Sequence, residues 1–259
     1  MPASTAVRIV QITDLHLKVE PGSRLWGADV DAGLHAVLAD IRQRQPAADF
    51  VLATGDLVGD EPQAYPRLRE LLATLGKPVY CLPGNHDFPG PMQQVLSGGL
   101  VRRERYIAVG NWQIVLLDSS FPGSPVGHLA RGELGLLDTA LATSPDLHTL
   151  ICLHHNPLPI GTGWLDTMTV SNGAVLFAVL DRYPQVRAVL FGHIHSEFSS
   201  RRGDVHLLAT PATSVQFKPD TPDPQVDDVP PGYRWLELYP DGTVATGVKR
   251  VEWAAGRPT

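Results

Sequence analysis

The chain has 259 residues, of which 43% are hydrophobic and 19% are charged, a composition that suits one globular domain with a sizeable core. Its formal net charge of −6 argues against a sequence-independent nucleic-acid binder, which needs a basic face. No stretch approaches the roughly 20 consecutive apolar residues that a membrane-spanning helix requires, so no membrane segment is expected.

The cysteines and the first residues indicate a cytoplasmic protein. Cys81 and Cys152 each lie within an apolar run, so they are expected as buried small side chains rather than as a disulfide. Only six residues precede the first strand-like run, which leaves no room for the apolar region of a signal peptide.

The first part of the chain predicts alternating strands and helices. Strands are expected at 7–13, 49–54 and 78–82, and helices at 31–44 and 62–75, where apolar residues recur at helical spacing. This order implies right-handed crossovers and a largely parallel sheet.

The middle of the chain continues the same pattern. Strands are expected at 112–117, 149–153 and 186–191, and helices at 132–143 and 173–183. The expected class is therefore α/β.

The last part of the chain favours antiparallel strands. These are expected at 205–208, 214–217, 233–239 and 243–251, and the turn signal at 240–242 makes 233–251 a C-terminal hairpin. Residues 218–232 are rich in proline and aspartate. They predict a loop within a single domain over 1–259, because too little chain follows to form another core.

Polar motifs follow several of the predicted strands at the point where each strand ends. They are Asp14-Leu15-His16, Gly55-Asp56, Gly84-Asn85-His86-Asp87, His154 and Gly192-His193-Ile194-His195. Because ligand sites in such sheets lie at the carboxyl ends of the strands, the motifs are expected to converge. His193 and His195 would share one face of an extended chain, as a pincer for a metal ion.

Seven side chains in these motifs offer nitrogen or oxygen donors to metal ions. They are Asp14, His16, Asp56, Asn85, His154, His193 and His195. Seven donors suit two ions that share a carboxylate, and mixed imidazole, carboxylate and amide donors favour Mn, Fe or Zn over Ca or Mg. Two ions about 3.5–4 Å apart can hold a hydroxide and stabilise a phosphoryl displacement. The site would keep a charge of roughly +1, which favours an anionic substrate.

The five blocks in this order resemble the calcineurin-like metallophosphoesterases. Longer stretches, among them 82–88, 163–166 and 209–219, are similar to the bacterial 3′,5′-cyclic AMP phosphodiesterases (class III) of that superfamily. The resemblance covers nearly the whole chain. It implies a four-layer αββα sandwich in which two facing mixed sheets lie between helices, and an activity that hydrolyses 3′,5′-cyclic AMP to 5′-AMP.

The resemblance also implies roles for individual residues. The first ion would be held by Asp14, His16, Asp56 and His195, and the second by Asp56, Asn85, His154 and His193. His86 would contact the phosphate and protonate the leaving oxygen, a general-acid role. The residues implied to contact the substrate are His16, Asp56, Asn85, His86, His154 and His195. A homodimer is one assembly state that the resemblance allows.

Departures from other branches of the superfamily narrow the substrate class. Purple acid phosphatases have a tyrosine three residues after the bridging aspartate, where this chain has Gly59. Protein Ser/Thr phosphatases place arginines where this chain has Gly59, Asp60 and Pro83. Without such bidentate clamps, a singly charged diester is the better fit.

Other interpretations remain open. The enzyme could act on a broader set of diesters, such as 2′,3′-cyclic nucleotides or glycerophosphodiesters, because the metal blocks do not encode the alcohol groups. The chain could also be a scaffold that binds metal without catalysis.

Several neighbouring residues have expected roles outside the metal-ligand set. His155 is expected to pack or to support a neighbouring ligand rather than to coordinate a metal ion itself, because successive strand residues face opposite ways. Asp87 would contact His86 or cap the following turn. Asn156 stands where the family has histidine or proline and would alter the pocket wall. The candidates for the substrate wall are Trp164, Asp166, Asn172 and Phe217.

Overall fold

The computed structural model describes residues 6–253, which form two six-stranded sheets and six helices. The strands are β1 Val7–Ile12, β2 Arg24–Leu25, β3 Ala28–Asp29, β4 Phe50–Thr54, β5 Val79–Leu82, β6 Val101–Arg102, β7 Tyr106–Val109, β8 Trp112–Leu116, β9 His148–Cys152, β10 Val186–Phe191, β11 Phe198–Arg202, β12 Val205–Ala209, β13 Gln216–Phe217, β14 Val226–Asp227, β15 Gly232–Leu238 and β16 Val244–Arg250. The helices are α1 Val30–Arg44, α2 Tyr65–Ala73, α3 Pro89–Val95, α4 Arg131–Thr143, α5 Gly163–Asp166 and α6 Gly173–Leu180.

Both large sheets are mixed. The first has the order β16-β15-β1-β4-β5-β6, in which β1, β4, β5 and β6 are parallel and the C-terminal strands β15 and β16 are antiparallel. The second has the order β11-β12-β10-β9-β8-β7, with antiparallel strands at its two edges. The carboxyl ends of the parallel strands therefore lie along the same edge within each sheet.

Three apolar layers separate the sheets and helices. In β4, Phe50 and Leu52 belong to the core between the two sheets, whereas Val51 and Ala53 belong to the core beneath α1 and α2. A third core lies between the second sheet and the helices α4 and α6. The strand β5 is buried and apolar at every position, and β4 is buried throughout and apolar except for Thr54, as suits parallel strands covered on both faces. The predicted α/β class and four-layer arrangement are confirmed.

One expected strand direction is wrong. The strand β12 was expected to be antiparallel, but it pairs in parallel with β10, with Leu190 opposite Leu208. The reason is the preceding strand β11, which the polar sequence at 198–202 does not predict. The strand β11 forms an antiparallel hairpin with β12 and so reverses the chain before β12 enters the sheet.

The structure refines several other boundaries. The stretch 218–232 is not all loop, since it contains β14, which pairs with β13 just before the stretch begins. The strand β7 and the helices α3 and α5 were not predicted. Both helices are shorter than the window over which a helical period is readable. None of the helices within residues 6–253 combines the length and apolarity needed to cross a bilayer. The single domain over 1–259 stays a prediction, and its ends lie outside the described residues.

Candidate metal centre

The seven predicted ligand residues lie in loops that follow five strands. They are Asp14 and His16 after β1, Asp56 after β4, Asn85 after β5, His154 after β9, and His193 and His195 after β10. The first sheet supplies both carboxylates, and the second supplies three of the four imidazoles. The carboxyl ends of the two sheets come together, and the structure brings these residues to one place.

Asp56 occupies the middle of this cluster. Its Oδ2 atom lies 3.6 Å from His16 Nε2 and 3.3 Å from His154 Nε2. On the side of His16, His195 Nε2 lies 3.2 Å from His16 Nε2 and 3.3 Å from Asp14 Oδ1. A carboxylate with an imidazole on each side has the position that two neighbouring ions require of a shared ligand.

His193 and His195 do not form the pincer expected from an extended chain. Both residues follow the end of β10 and have positive φ angles, 68° and 52°. The ligand atom of His193 groups with those of His154 and His155, whereas His195 lies next to Asp14. The two imidazoles therefore face different parts of the cluster.

A left-handed backbone conformation is common among the candidate ligands. Five of the seven have positive φ angles: Asp14, His16, Asp56, His193 and His195. Each costs roughly 1–2 kcal/mol for an L-residue and persists only where its surroundings determine it. Here the His193 N–H donates to Asp14 Oδ2 at 3.0 Å, and the His16 N–H donates to the main-chain oxygen of Asp56 at 2.9 Å.

Main-chain carbonyl groups orient two of the imidazoles. His154 Nδ1 lies 2.9 Å from the Thr54 oxygen, and His195 Nδ1 lies 2.8 Å from the Val215 oxygen. Because a carbonyl oxygen only accepts, each Nδ1 carries a hydrogen and each Nε2 faces the cluster. Sequence reasoning could not find these partners, since every residue has a carbonyl group.

The protonation states suit cation binding. Burial raises the pKa of Asp14, but the neighbouring His195 outweighs it and lowers the pKa to about 2. Burial lowers the pKa values of His16 and His193 to about 3. Burial also opposes the charge on His154, yet the adjacent carboxylate raises that pKa to about 9. Neutral imidazoles and ionised carboxylates are the forms that bind metal ions, and a cation can replace the proton on His154.

Buried atoms without partners support a metal site. Within residues 6–253, His193 Nε2 and Asn85 Oδ1 are buried and have no hydrogen-bond partner. Asp14 is fully buried and Asp56 is 2% exposed. Burying such groups unpaired is costly, and a divalent cation would satisfy them together. Because imidazole, carboxylate and amide donors suit Mn, Fe and Zn, the residues fit ions of this kind.

His86 lies beside this cluster, with its side chain partly exposed. Its main-chain N–H donates to Asp56 Oδ1 at 2.9 Å, and its ring centroid is 5.0 Å from that of His16. Its Nδ1 lies 2.9 Å from each carboxylate oxygen of Asp60. A carboxylate accepts, so Nδ1 carries a hydrogen, and the other ring nitrogen is left for a ligand. Asp60 was not predicted as a site residue, although it lies only four residues after Asp56 in the sequence and could have been considered for that reason.

Asp87 ties two of the ligand loops together. Its carboxylate accepts from the N–H groups of Gly84, Leu57 and Val58 at 2.9, 3.0 and 3.3 Å, and from the Tyr65 hydroxyl at 2.8 Å. Gly84 lies in the preceding turn, Leu57 and Val58 lie in the loop after β4, and Tyr65 begins α2, so these partners include neither His86 nor the following turn, the two that were expected. The residue therefore fixes the loop that carries Asn85 against the loop that carries Asp56.

His155 lies next to the cluster and not on the far side of its strand. Its ring centroid is 4.6 Å from that of His193, and its Nδ1 is 2.8 Å from Ser119 Oγ. The alternation argument fails because β9 ends at Cys152, so His155 is no longer in a strand.

Three residues expected at the substrate wall make structural contacts instead. Asn172 Nδ2 donates to the Leu129 carbonyl at 2.8 Å, and its Oδ1 accepts from the Leu129 N–H at 3.0 Å. Asp166 accepts from the Ile160 N–H at 2.7 Å. Asn156 is fully buried and donates to a carbonyl two residues later. None of the three lines the cleft formed by the described residues around His86.

That cleft has a volume of about 210 Å³ and two chemically different ends. His86 and the ligand cluster form the polar end. Trp26, Trp164 and Phe217 form an aromatic end, and the Phe217 ring centroid lies 4.9 Å from that of His195. Trp164 and Phe217, two of the expected substrate-wall residues, thus line this cleft, whereas Trp26 was not predicted.

The fold and the His/Asp cluster define a class of metal-dependent phosphoesterase. Residues 7–197 match the family model described as calcineurin-like phosphoesterase. The chain therefore belongs to the calcineurin-like phosphoesterase family, and the resemblance drawn from the five sequence blocks is confirmed.

Two similar proteins are named as cyclic nucleotide phosphodiesterases. A Pseudomonas aeruginosa protein named 3′,5′-cyclic adenosine monophosphate phosphodiesterase CpdA is 44% identical over 253 residues, covering 97% of this chain and 93% of that protein. The Nostoc protein named 3′,5′-cyclic-nucleotide phosphodiesterase alr5338 is 41% identical and covers 96% of this chain and 94% of that protein. A dimetal phosphatase from Danio rerio superimposes with a TM-score of 0.68 at 13% identity, covering 96% of this chain and 100% of that one. At that identity the superposition shows the shared fold alone.

Proposed function

We propose that this chain is a metal-dependent phosphodiesterase that hydrolyses 3′,5′-cyclic AMP to 5′-AMP. The observation that carries the proposal is the central position of Asp56, with imidazoles on both sides and His86 next to it at the cleft. The names of the relatives that are 41% and 44% identical support a cyclic nucleotide as the substrate.

The proposed metal ligands divide into two sets. The first set is Asp14, His16, Asp56 and His195, and the second is Asp56, Asn85, His154 and His193. When bound, Mn, Fe or Zn ions at such positions activate water and neutralise charge on a phosphate group. The rest of the reaction depends on side chains of this chain. The residues proposed to contact the substrate are His16, Asp56, Asn85, His86, His154 and His195.

The role proposed for His86 is to protonate the leaving group. A bond from a water oxygen to phosphorus forms while the bond from phosphorus to the ribose 3′-oxygen breaks. The 3′-oxygen gains a proton, the water gives one up to solvent, and His86 regains from solvent the proton that it donates. His86 supplies this proton through the ring nitrogen that faces away from Asp60. Asp60 acts as a positioning residue, because its carboxylate holds Nδ1 and so directs the other nitrogen.

The charge of the cleft supports a diester substrate. Among the residues that line the cleft in the described part of the chain there is no arginine, and Lys18 is the one basic residue besides histidines. Lys18 Nζ lies 3.4 Å from Glu61 Oε1, so part of its charge is compensated. A dianionic monoester would lack the bidentate clamps that usually bind it, whereas a singly charged diester needs fewer.

We also place this activity in the cytoplasm. Cys81 and Cys152 are both buried free thiols, as suits a reducing compartment. The homodimer stays a prediction, and a measurement of the molecular mass in solution would test it.

Turnover of a panel of diesters by purified, metal-loaded protein tests the proposed function. The panel contains 3′,5′-cyclic AMP, 2′,3′-cyclic AMP and a glycerophosphodiester, and 3′,5′-cyclic AMP is expected to have the highest kcat/KM. If another diester has a much higher kcat/KM, the broader phosphodiesterase activity replaces the proposed specificity for 3′,5′-cyclic AMP. If none is turned over while metal binds, the protein is a scaffold. His86→Ala is expected to keep its metal content and to lose at least ~100-fold in kcat.

A further inference from the structure

Trp26 lies on an exposed and strained turn at the mouth of the cleft. The strands β2 and β3 pair through a two-residue turn, in which Trp26 and Gly27 have φ angles of 49° and 85°. The tryptophan is 57% exposed, the largest fraction among the exposed large hydrophobic residues of the described chain. Two-residue turns of this kind favour Asn, Asp or Gly at such positions, so local structure does not explain the tryptophan. A strained, exposed aromatic residue beside a reaction site calls for a functional explanation.

Trp26 completes an aromatic wall built from three separate elements. Its ring centroid lies 5.9 Å from that of Phe217 on β13, and the two planes are at 88°. The Trp164 ring on α5 lies 5.2 Å from Phe217 at 84°. The ring centroid of Phe217 is in turn 4.9 Å from that of His195, so the aromatic wall is in contact with a candidate metal ligand. Leu25 and Pro224 add further apolar surface to this end of the cleft.

We infer that the aromatic end of the cleft binds the nucleobase of the substrate, with Trp26 as the main stacking residue. This inference rests on the proposed function, because it takes the phosphate to lie at His86 and the ligand cluster. In a 3′,5′-cyclic nucleotide the base is separated from the phosphate by one fused sugar ring. The Phe217 ring lies between His195, at 4.9 Å, and Trp26, at 5.9 Å, so Trp26 is separated from the ligand cluster by one ring. Trp26 thus determines specificity for diesters that carry a base.

Equilibrium binding to the Mn²⁺-loaded protein tests this inference without turnover. The probes are 5′-AMP and ribose 5-phosphate, which share the sugar and the phosphate but differ in the base. Stacking on an aromatic side chain predicts that 5′-AMP binds roughly tenfold more tightly than ribose 5-phosphate. Trp26→Asn removes the ring but keeps the turn, because asparagine before glycine is favoured in such turns. Trp26→Phe keeps an aromatic ring, and Tyr106→Ala removes an exposed aromatic residue outside the cleft.

The expected result is that Trp26→Asn binds the two probes alike, while Trp26→Phe and Tyr106→Ala keep most of the preference for 5′-AMP. In turnover, Trp26→Asn should raise the KM for 3′,5′-cyclic AMP by roughly tenfold. Its kcat should change much less than its KM, and its loss in kcat/KM should be much smaller for the cyclic phosphate of methyl riboside, which has no base. Equal binding of both probes by the wild type, or a preference that survives in Trp26→Asn, would overturn the inference. A wild type that prefers 5′-AMP but does not hydrolyse 3′,5′-cyclic AMP would refute the proposed function and leave the base site standing.

Discussion

The carboxylate of Asp60 faces the imidazole of His86 symmetrically, with each carboxylate oxygen 2.9 Å from Nδ1. Asp60 has a φ angle of 62°, so the chain accepts a left-handed conformation in order to place this carboxylate. The contact leaves the second nitrogen of His86 as the group that can meet a leaving oxygen.

Removal of Asp60 is therefore expected to slow proton donation rather than binding. Asp60→Ala should lower kcat for 3′,5′-cyclic AMP about tenfold, with little change in KM, and Asp60→Asn should retain part of the rate. Steady-state kinetics measures both constants. Glu61→Ala, on the same loop, is the matched control and should resemble the wild type. Bis(p-nitrophenyl) phosphate has a leaving group that needs no proton, so an equal loss on this diester would contradict the role.

Metal binding is expected to stabilise the folded chain. Because His193 Nε2 and Asn85 Oδ1 are buried without partners, bound cations satisfy groups that are costly in the metal-free protein. Mn²⁺ at about 1,000 times its dissociation constant should add about 4 kcal/mol, which raises Tm by roughly 10 °C. Differential scanning fluorimetry with chelator and then Mn²⁺ measures the shift. His193→Ala should reduce it, and His206→Ala should not. A Tm that is independent of Mn²⁺ would show that the cluster holds no ion.

Gly84 is expected to tolerate no side chain. An added Cβ would meet Asp56 Oδ1 and the Asp56 nitrogen directly, and would lie 2.8 Å from His154 Cδ2. Gly84→Ala should therefore weaken Mn²⁺ binding at least ~10-fold, because it displaces Asp56, the proposed shared ligand. Isothermal titration calorimetry provides the measurement.

Gly135→Ala is the matched control for this substitution. Gly135 lies inside α4 with open space around the added Cβ, so alanine should stabilise the fold by about 0.5–1 kcal/mol and leave Mn²⁺ affinity unchanged. Similar affinities for the Gly84→Ala and wild-type proteins would mean that the loop after β5 can move away from Asp56.

Asp87 is expected to matter for stability more than any exposed carboxylate. Asp87→Ala leaves three N–H groups and the Tyr65 hydroxyl without their acceptor, and should cost about 3 kcal/mol or more. Urea denaturation measures the free energy of unfolding. Asp181→Ala removes an exposed partner of Arg202 and should leave the stability near that of the wild type. If the two variants unfold alike, Asp87 does not hold the two loops together.

Local patterns in the sequence were enough to predict the α/β class, the order of the main strands and the polar residues at their carboxyl ends. Apolar periodicity reports which faces are buried, and burial on both faces identifies strands such as β4 and β10. The resemblance to a phosphoesterase family came from five short motifs, because both the motifs and their order along the chain can be read directly from the sequence.

The tertiary structure alone decided how the side chains in the loops are directed. His193 and His195 face different groups because both residues are left-handed, and His155 approaches His193 because its strand has ended. The carbonyl partners of the imidazoles and the placement of Trp26 depend on chain segments far apart in sequence. A periodic pattern encodes burial in regular structure, but it carries no information about the φ angles of a loop or about which distant main-chain atom meets a given side chain.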